Sequence, residues 1–275
     1  MAAARGAEES TAWRQPIDLV ALSDEAAGQL WELFRARRGA PRWRDHTALS
    51  QELLGDDPGN IIDALKAAIL AGAAPTDLGR SLACGAALRV ARFGNANEHC
   101  DWETAHHVFT HANALHWMLE RIGSSAADGD VSAVRGVLHG AMALYLTRYL
   151  NVPPARIPGE DGERVDGLPT NQEAIRDALL DAFGRQQQVD LAARLVARHL
   201  TLGHSPQALI ATLARAVLRE DAGFHAYQML EASRNSPSGA TRMKAGAPSS
   251  QSPAISRRIR RPSARRCKRP ILRGV

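Results

Sequence analysis

One piece of helical grammar, written twice, constrains this chain more than anything else in it. The stretch "ALKAAILAGAAPTDLGRSLACGAAL" aligns without gaps on "LVARHLTLGHSPQALIATLARAVLR", pairing Gly72 with Gly203, Pro75 with Pro206, Leu78 with Leu209 and Leu82 with Leu213. Each copy is an apolar-periodic run, a Gly where a helix ends, a short turn, a Pro where the next helix begins, and a second periodic run. Duplication and independent convergence on short-loop grammar both produce such a pair. Either way the expected unit is an antiparallel helix hairpin, and two of them stack into a helical bundle.

The rest of the chain fits an all-α fold. "NIIDALKAAILAGA" carries Ile61, Ile62, Leu65, Ile69 and Leu70 at three- and four-residue spacing behind Asp57-Pro58. A long histidine-rich helix is expected from Asp101 to about Arg121, and "VSAVRGVLHGAMALYLTRYL" follows as another helix, stopped by Val152-Pro153-Pro154. Further helices are expected from Asn171 to Gln188 and in "AGFHAYQMLEAS", and no segment alternates β-branched with polar residues. The expected division is an N-terminal helical or irregular segment, 1–56, and a main helical domain, 57–233. The main domain has halves 57–150 and 171–233, joined by a Pro/Gly-rich loop at 151–170. A basic disordered tail, 234–275, closes the chain.

Charge is distributed unevenly along the chain. Its formal net charge is +5, yet from Ala232 to Val275 there are twelve Lys and Arg and no Asp or Glu, which leaves 22 basic against 29 acidic residues before that point. The body is therefore acidic, and nucleic acid is not its expected partner. The tail reads either as a disordered basic arm suited to phosphates or as a shifted reading frame. With ordinary synonymous codons, "IRRPSARRCKRPILRG" arises from nucleotides whose neighbouring frame reads HSPTERAPLQTADIARR, which has helical spacing and caps. The three cysteines, Cys84, Cys100 and Cys267, form no Cys-x-x-Cys pair and no disulfide framework. "MAAARGAEESTAW" lacks the apolar core of a signal peptide, and no stretch reaches a membrane span of about 20 apolar residues. A soluble cytoplasmic protein, not associated with membranes, is expected.

The chemistry is expected on "DWETAHHVFTHANALHW", which holds four of the ten histidines. At about 100° per residue, Val108, Ala112, Leu115 and Leu119 make an apolar stripe. On one side of it lie Trp102, His106, Phe109, Asn113, His116 and Trp117, and on the other Glu103, His107 and His111. The first group reads as a partly buried site in which His106 or His116 acts as acid or base. Trp102, Phe109, Asn113 and, on the next helix, Tyr145 would meet the substrate. His139, which interrupts an apolar run, and His225 would complete a shared pocket between the two hairpins. Glu103, His107 and His111, at i, i+4 and i+8, are candidate metal ligands. The structural alternative is that these histidines are hydrogen-bonded inside a helical core or lie on a solvated face.

The segments "ARFGNANEHCDWETAHHVFTHANALHWML", "LTRYLNVPPARIP" and "LREDAGFHAYQMLEA" together resemble bacterial all-helical proteins described as Rieske-type or oxidoreductase-associated. More distantly they are similar to questin oxidase-like proteins. The resemblance covers roughly Asp57 to Glu231. It implies oxygen-dependent or electron-transfer chemistry on a small hydrophobic molecule, with His106, His107, Asn113, His116 and His225 at the matching positions. A Rieske cluster needs a Cys-x-His and a Cys-x-x-His pair, and the chain has neither. Such a cluster is then expected on another domain or a separate redox partner protein, or to be absent. The contrasting expectation is a non-catalytic scaffold or truncated partner-binding module.

Overall fold

The computed structural model describes residues 17–37, 39–94, 96–122, 129–151, 153–159, 167–184, 188–219 and 224–235. Among these the chain forms ten α-helices and no strand. They are α1 (Leu19–Ala36), α2 (His46–Glu52), α3 (Pro58–Leu70), α4 (Pro75–Ala91), α5 (His99–Ile122), α6 (Gly129–Leu146), α7 (Gln172–Gly184), α8 (Val189–Thr201), α9 (Pro206–Arg219) and α10 (Phe224–Asn235), with a 3-10 turn at Thr147–Leu150. The protein is an all-α bundle. No described helix is long and apolar enough to cross a membrane. The tail from 236 onward, and with it the shifted-frame segment, lies outside the described residues.

Helix starts follow from short polar side chains that satisfy backbone N–H groups the helix leaves unpaired. Asp18 accepts from Val20 and Ala21, Asp57 accepts from Asn60, and Asn171 accepts from Glu173 and Ala174. The two repeated turns end their first helices identically. Gly72 N–H donates to Ile69 and Ala73 N–H to Ala68, while Gly203 N–H donates to Leu200 and His204 N–H to His199. This is the Schellman arrangement, and it needs a residue at positive φ, here 106° for Gly72 and 73° for Gly203.

At the first turn the two helices find their main partners elsewhere than in each other. Helix α3 packs on α1 and α2, whereas α4 packs chiefly on α5, α6 and α2, and α3 and α4 barely touch. The local hydrogen bonds dictate how a helix ends, but the direction of the next one is decided by where its apolar face finds a partner. At Gly72 that packing is tight, because an added Cβ would run into the carbonyl oxygen of Pro41, while Gly203 faces open space. Gly203→Ala is therefore expected to cost about 1 kcal/mol, the strain of a left-handed alanine. Gly72→Ala is expected to cost at least twice as much, and denaturant midpoints of the two variants measure the difference.

Two clusters of buried apolar side chains result. The larger joins α1 to α6, from Ala26, Leu30 and Trp43 through Leu82, Phe109 and Leu138 to Tyr145, and takes Met229 and Ala232 from α10. The N-terminal segment set apart in the sequence thus shares the core of α3–α6. The smaller cluster is built by α7, α8 and α9 around Ile175, Leu179, Leu195 and Leu213. Helix α10 touches both α5 and α9, and so carries His225 onto the histidine helix.

Candidate ligand site on the histidine helix

Helix α5 buries Trp102, His106, Phe109, Asn113 and His116 along one face, against α4 and its neighbours. Close approach of α4 depends on Gly79, where a Cβ would sit 2.7 Å from Leu119 Cδ1 and 3.3 Å from His116 Cα. Trp117, expected beside them, is 43% exposed. A row of polar groups inside a helix–helix contact needs partners, and not all of these find them. His106 Nε2, Asn113 Oδ1 and His116 Nδ1 are buried without a hydrogen bond.

The expected shared pocket of four imidazoles does not form. His106 and His116 are ten residues apart on one helix, about 15 Å along its axis, and have different neighbours. His139 is exposed on α6, because the cluster takes Leu138 and Ala141 from that turn and leaves the histidine outside. His225 does reach α5, but its ring meets His107 edge-on at 4.9 Å. The candidate substrate residues Trp102, Phe109 and Tyr145 belong to the larger apolar cluster.

The metal expectation is also overturned. Glu103 pairs with His99 at 3.8 Å, His107 meets His225 edge-on, and His111 is exposed. Among the described residues no group of three or more His, Cys, Asp or Glu side chains is placed to hold a metal ion. The chain equally lacks the ligand pairs for an iron–sulfur cluster, so no chemistry is routed through one.

His106 has the most distinctive surroundings of the four. Its ring lies 5.6 Å from that of Trp102, which in turn meets Phe93 edge-on at 4.9 Å. Burial pushes the imidazole down to about 4, and the neighbouring His225, His107 and His99 act in the same direction. At neutral pH the ring is therefore uncharged and a poor proton acceptor. What it offers in that form is a hydrogen bond from or to Nε2. His116 is likewise pushed down by burial, opposed by Glu120, whose carboxylate lies 3.9 Å from Nε2.

Two further arrangements escaped the sequence. Ser81 Oγ lies 3.5 Å from His46 Nδ1, and His46 Nε2 lies 3.5 Å from Asp77 Oδ1. These are the residue types of a hydrolytic triad, but Ser81 is fully buried and its hydroxyl donates to the Asp77 carbonyl at 3.0 Å. The set ties α2 to α4 and gives a substrate no approach. Asp77 and Ser81 stand one turn apart on α4, a spacing visible in the sequence, whereas His46 reaches them only through the packing of α2 on α4. The second arrangement is a cavity of about 250 Å³ between α7, α8 and α9, floored by Ile175, Leu179 and Leu209 with Arg176 and Arg215 at its edge. His199 also lines it, but its Nε2 is already bonded to the Ser205 carbonyl at 2.9 Å.

Compared with protein-family models, with curated proteins and with solved structures, the chain matches none of them.

Proposed function

We propose that the chain is a cytoplasmic, oxidoreductase-type helical domain that holds a small, neutral, largely apolar molecule beside α5, with His106 as its polar contact. The observation that carries this reading is the buried, unpartnered Nε2 of a neutral imidazole next to an aromatic pair. A hydroxyl or carbonyl on an aromatic ligand supplies the missing hydrogen bond, and ring faces supply the contact area. His107 and His225 stand at the rim of the same site. The residues bind and orient; the resemblance assigns the electron acceptor to a separate redox protein.

A non-catalytic ligand-binding module is favoured by a different observation, the apolar cavity of α7–α9. Titration with 1-naphthol, a neutral aromatic alcohol, separates the two. If His106 is the contact, His106→Leu weakens binding about tenfold, the worth of one buried hydrogen bond, while the protein stays folded at pH 7. If the cavity is the site, His106→Leu leaves affinity unchanged and Ala211→Trp, which fills the cavity mouth, abolishes it.

A further inference from the structure

The last turn of α4 carries Arg89, and the 3-10 turn after α6 brings Arg148 within electrostatic reach of it. Arg148 is richly bonded. Its Nη1 pairs with Asp56 at 3.0 Å, and its Nη2 donates to the hydroxyls of Tyr149 at 2.6 Å and Tyr145 at 3.2 Å. The guanidinium carbon lies 4.6 Å from the centre of the Tyr145 ring and 4.4 Å from that of Tyr149. Arg89 presents the opposite case. Its Nε and Nη2 are shut away from solvent with no acceptor. The carboxylate that offsets its charge, that of Asp56, is already held by Arg148 and is itself 90% exposed. Burial, together with the like charges of Arg148 and Arg92, pushes the Arg89 guanidinium down to about 10.

The unmet demand around it is all of one kind. Arg148 Nε is also buried without an acceptor. Beyond it, Asn151 Oδ1 accepts from Gly94 N–H at 3.0 Å, and this joins the end of the 3-10 turn to the loop after α4. Asn151 Nδ2 and, in that loop, Asn97 Nδ2 are buried donors with nothing to donate to, and both residues are 4% exposed. Four side chains from two adjoining segments thus turn unpaired N–H groups inward, and no buried acceptor answers them. A guanidinium with two N–H groups buried and without an acceptor is costly to a fold, and such groups are normally paired or bound to an anion. Guanidinium forks suit the oxygens of carboxylates and phosphates above other groups.

We propose that the end of α4 is an oxyanion-binding site in which Arg89 takes the carboxylate or phosphate group of a small ligand, walled by the Arg148–Tyr145–Tyr149 cluster. It stands independently of the His106 site. The intact protein is tested by thermal melting and calorimetry with sodium phosphate and with sodium benzoate, each against sodium chloride at equal ionic strength. At about a hundredfold excess over Kd, one of the two raises Tm by about 5 °C where chloride does not. Phosphate alone identifies a phosphate site, and benzoate alone a carboxylate site. Arg89→Met loses that shift and melts at or above the wild-type temperature without ligand, since it no longer buries an unpaired charge. Arg89→Lys, which keeps charge but not the fork, binds about tenfold more weakly and serves should the Met variant fail to fold. A wild-type Tm indifferent to both anions, or a shift that survives in Arg89→Met or at full strength in Arg89→Lys, overturns the proposal.

Discussion

Phe109→Ala is expected to destabilise the protein by about 4 kcal/mol at neutral pH, the usual cost of deleting a fully buried phenyl ring. Phe109 is 0% exposed and sits mid-way along α5, the helix that α4, α6 and α10 all contact. Neighbouring helices cannot all close on the space it leaves, because α4 is already at its closest approach to α5 near Gly79. Loss of part of the transfer energy is thus compounded by a cavity. Phe183→Ala, in the smaller cluster and 9% exposed, is expected to cost less. Urea unfolding of both variants measures the contrast. Equal costs would mean that α5 is not the centre of the larger core.

Acid is expected to weaken the protein well before its carboxylates titrate. His106 is held at about 4 in the folded chain, whereas an unfolded histidine takes its proton near 6.5. As pH falls, the unfolded state gains the proton first, so this contribution is complete above about pH 6.5 and is lost as pH drops toward 4. The loss amounts to about 3 kcal/mol by pH 4. His116, His46 and His199 are pushed in the same direction by burial and add to the slope with the same sign. Denaturant midpoints at pH 7 and pH 4.5 check this, with His106→Gln as the control that removes the largest share of the pH dependence. A wild-type stability as flat with pH as that of the variant would show that the His106 ring protonates freely in the folded state.

The helix ends were legible because Gly, Pro and Asp act locally. Gly72, Gly203, Pro75, Pro206 and Asp57 announce their turns and caps whatever packs around them. Direction was not legible, since α3 departs from α4 to meet α1 and α2, and a local repeat does not say which distant apolar face a helix will meet. Burial of the α5 face from Trp102 to His116 followed from its spacing. Convergence of His106, His116, His139 and His225 did not, although the ten-residue separation of the first two already placed them about three turns apart. His139 was misread because α6 is apolar on most sides, and one histidine in such a run does not disclose which side the core takes. Arg89 has a cation's ordinary place in the last turn of a helix, and its missing acceptors are a property of the packed chain alone.

The proposed site turns on one atom, Nε2 of His106, meeting a ligand. Nitrogen-15 NMR of the imidazole side chains at pH 7, recorded while 1-naphthol is added, tests this directly. The ring is expected to be neutral in the free protein, and its Nε2 resonance to move in proportion to occupancy while those of exposed His111 and His139 stay fixed. A protein that binds no naphthol, or one that binds it with the His106 Nε2 resonance unmoved, would contradict the assignment.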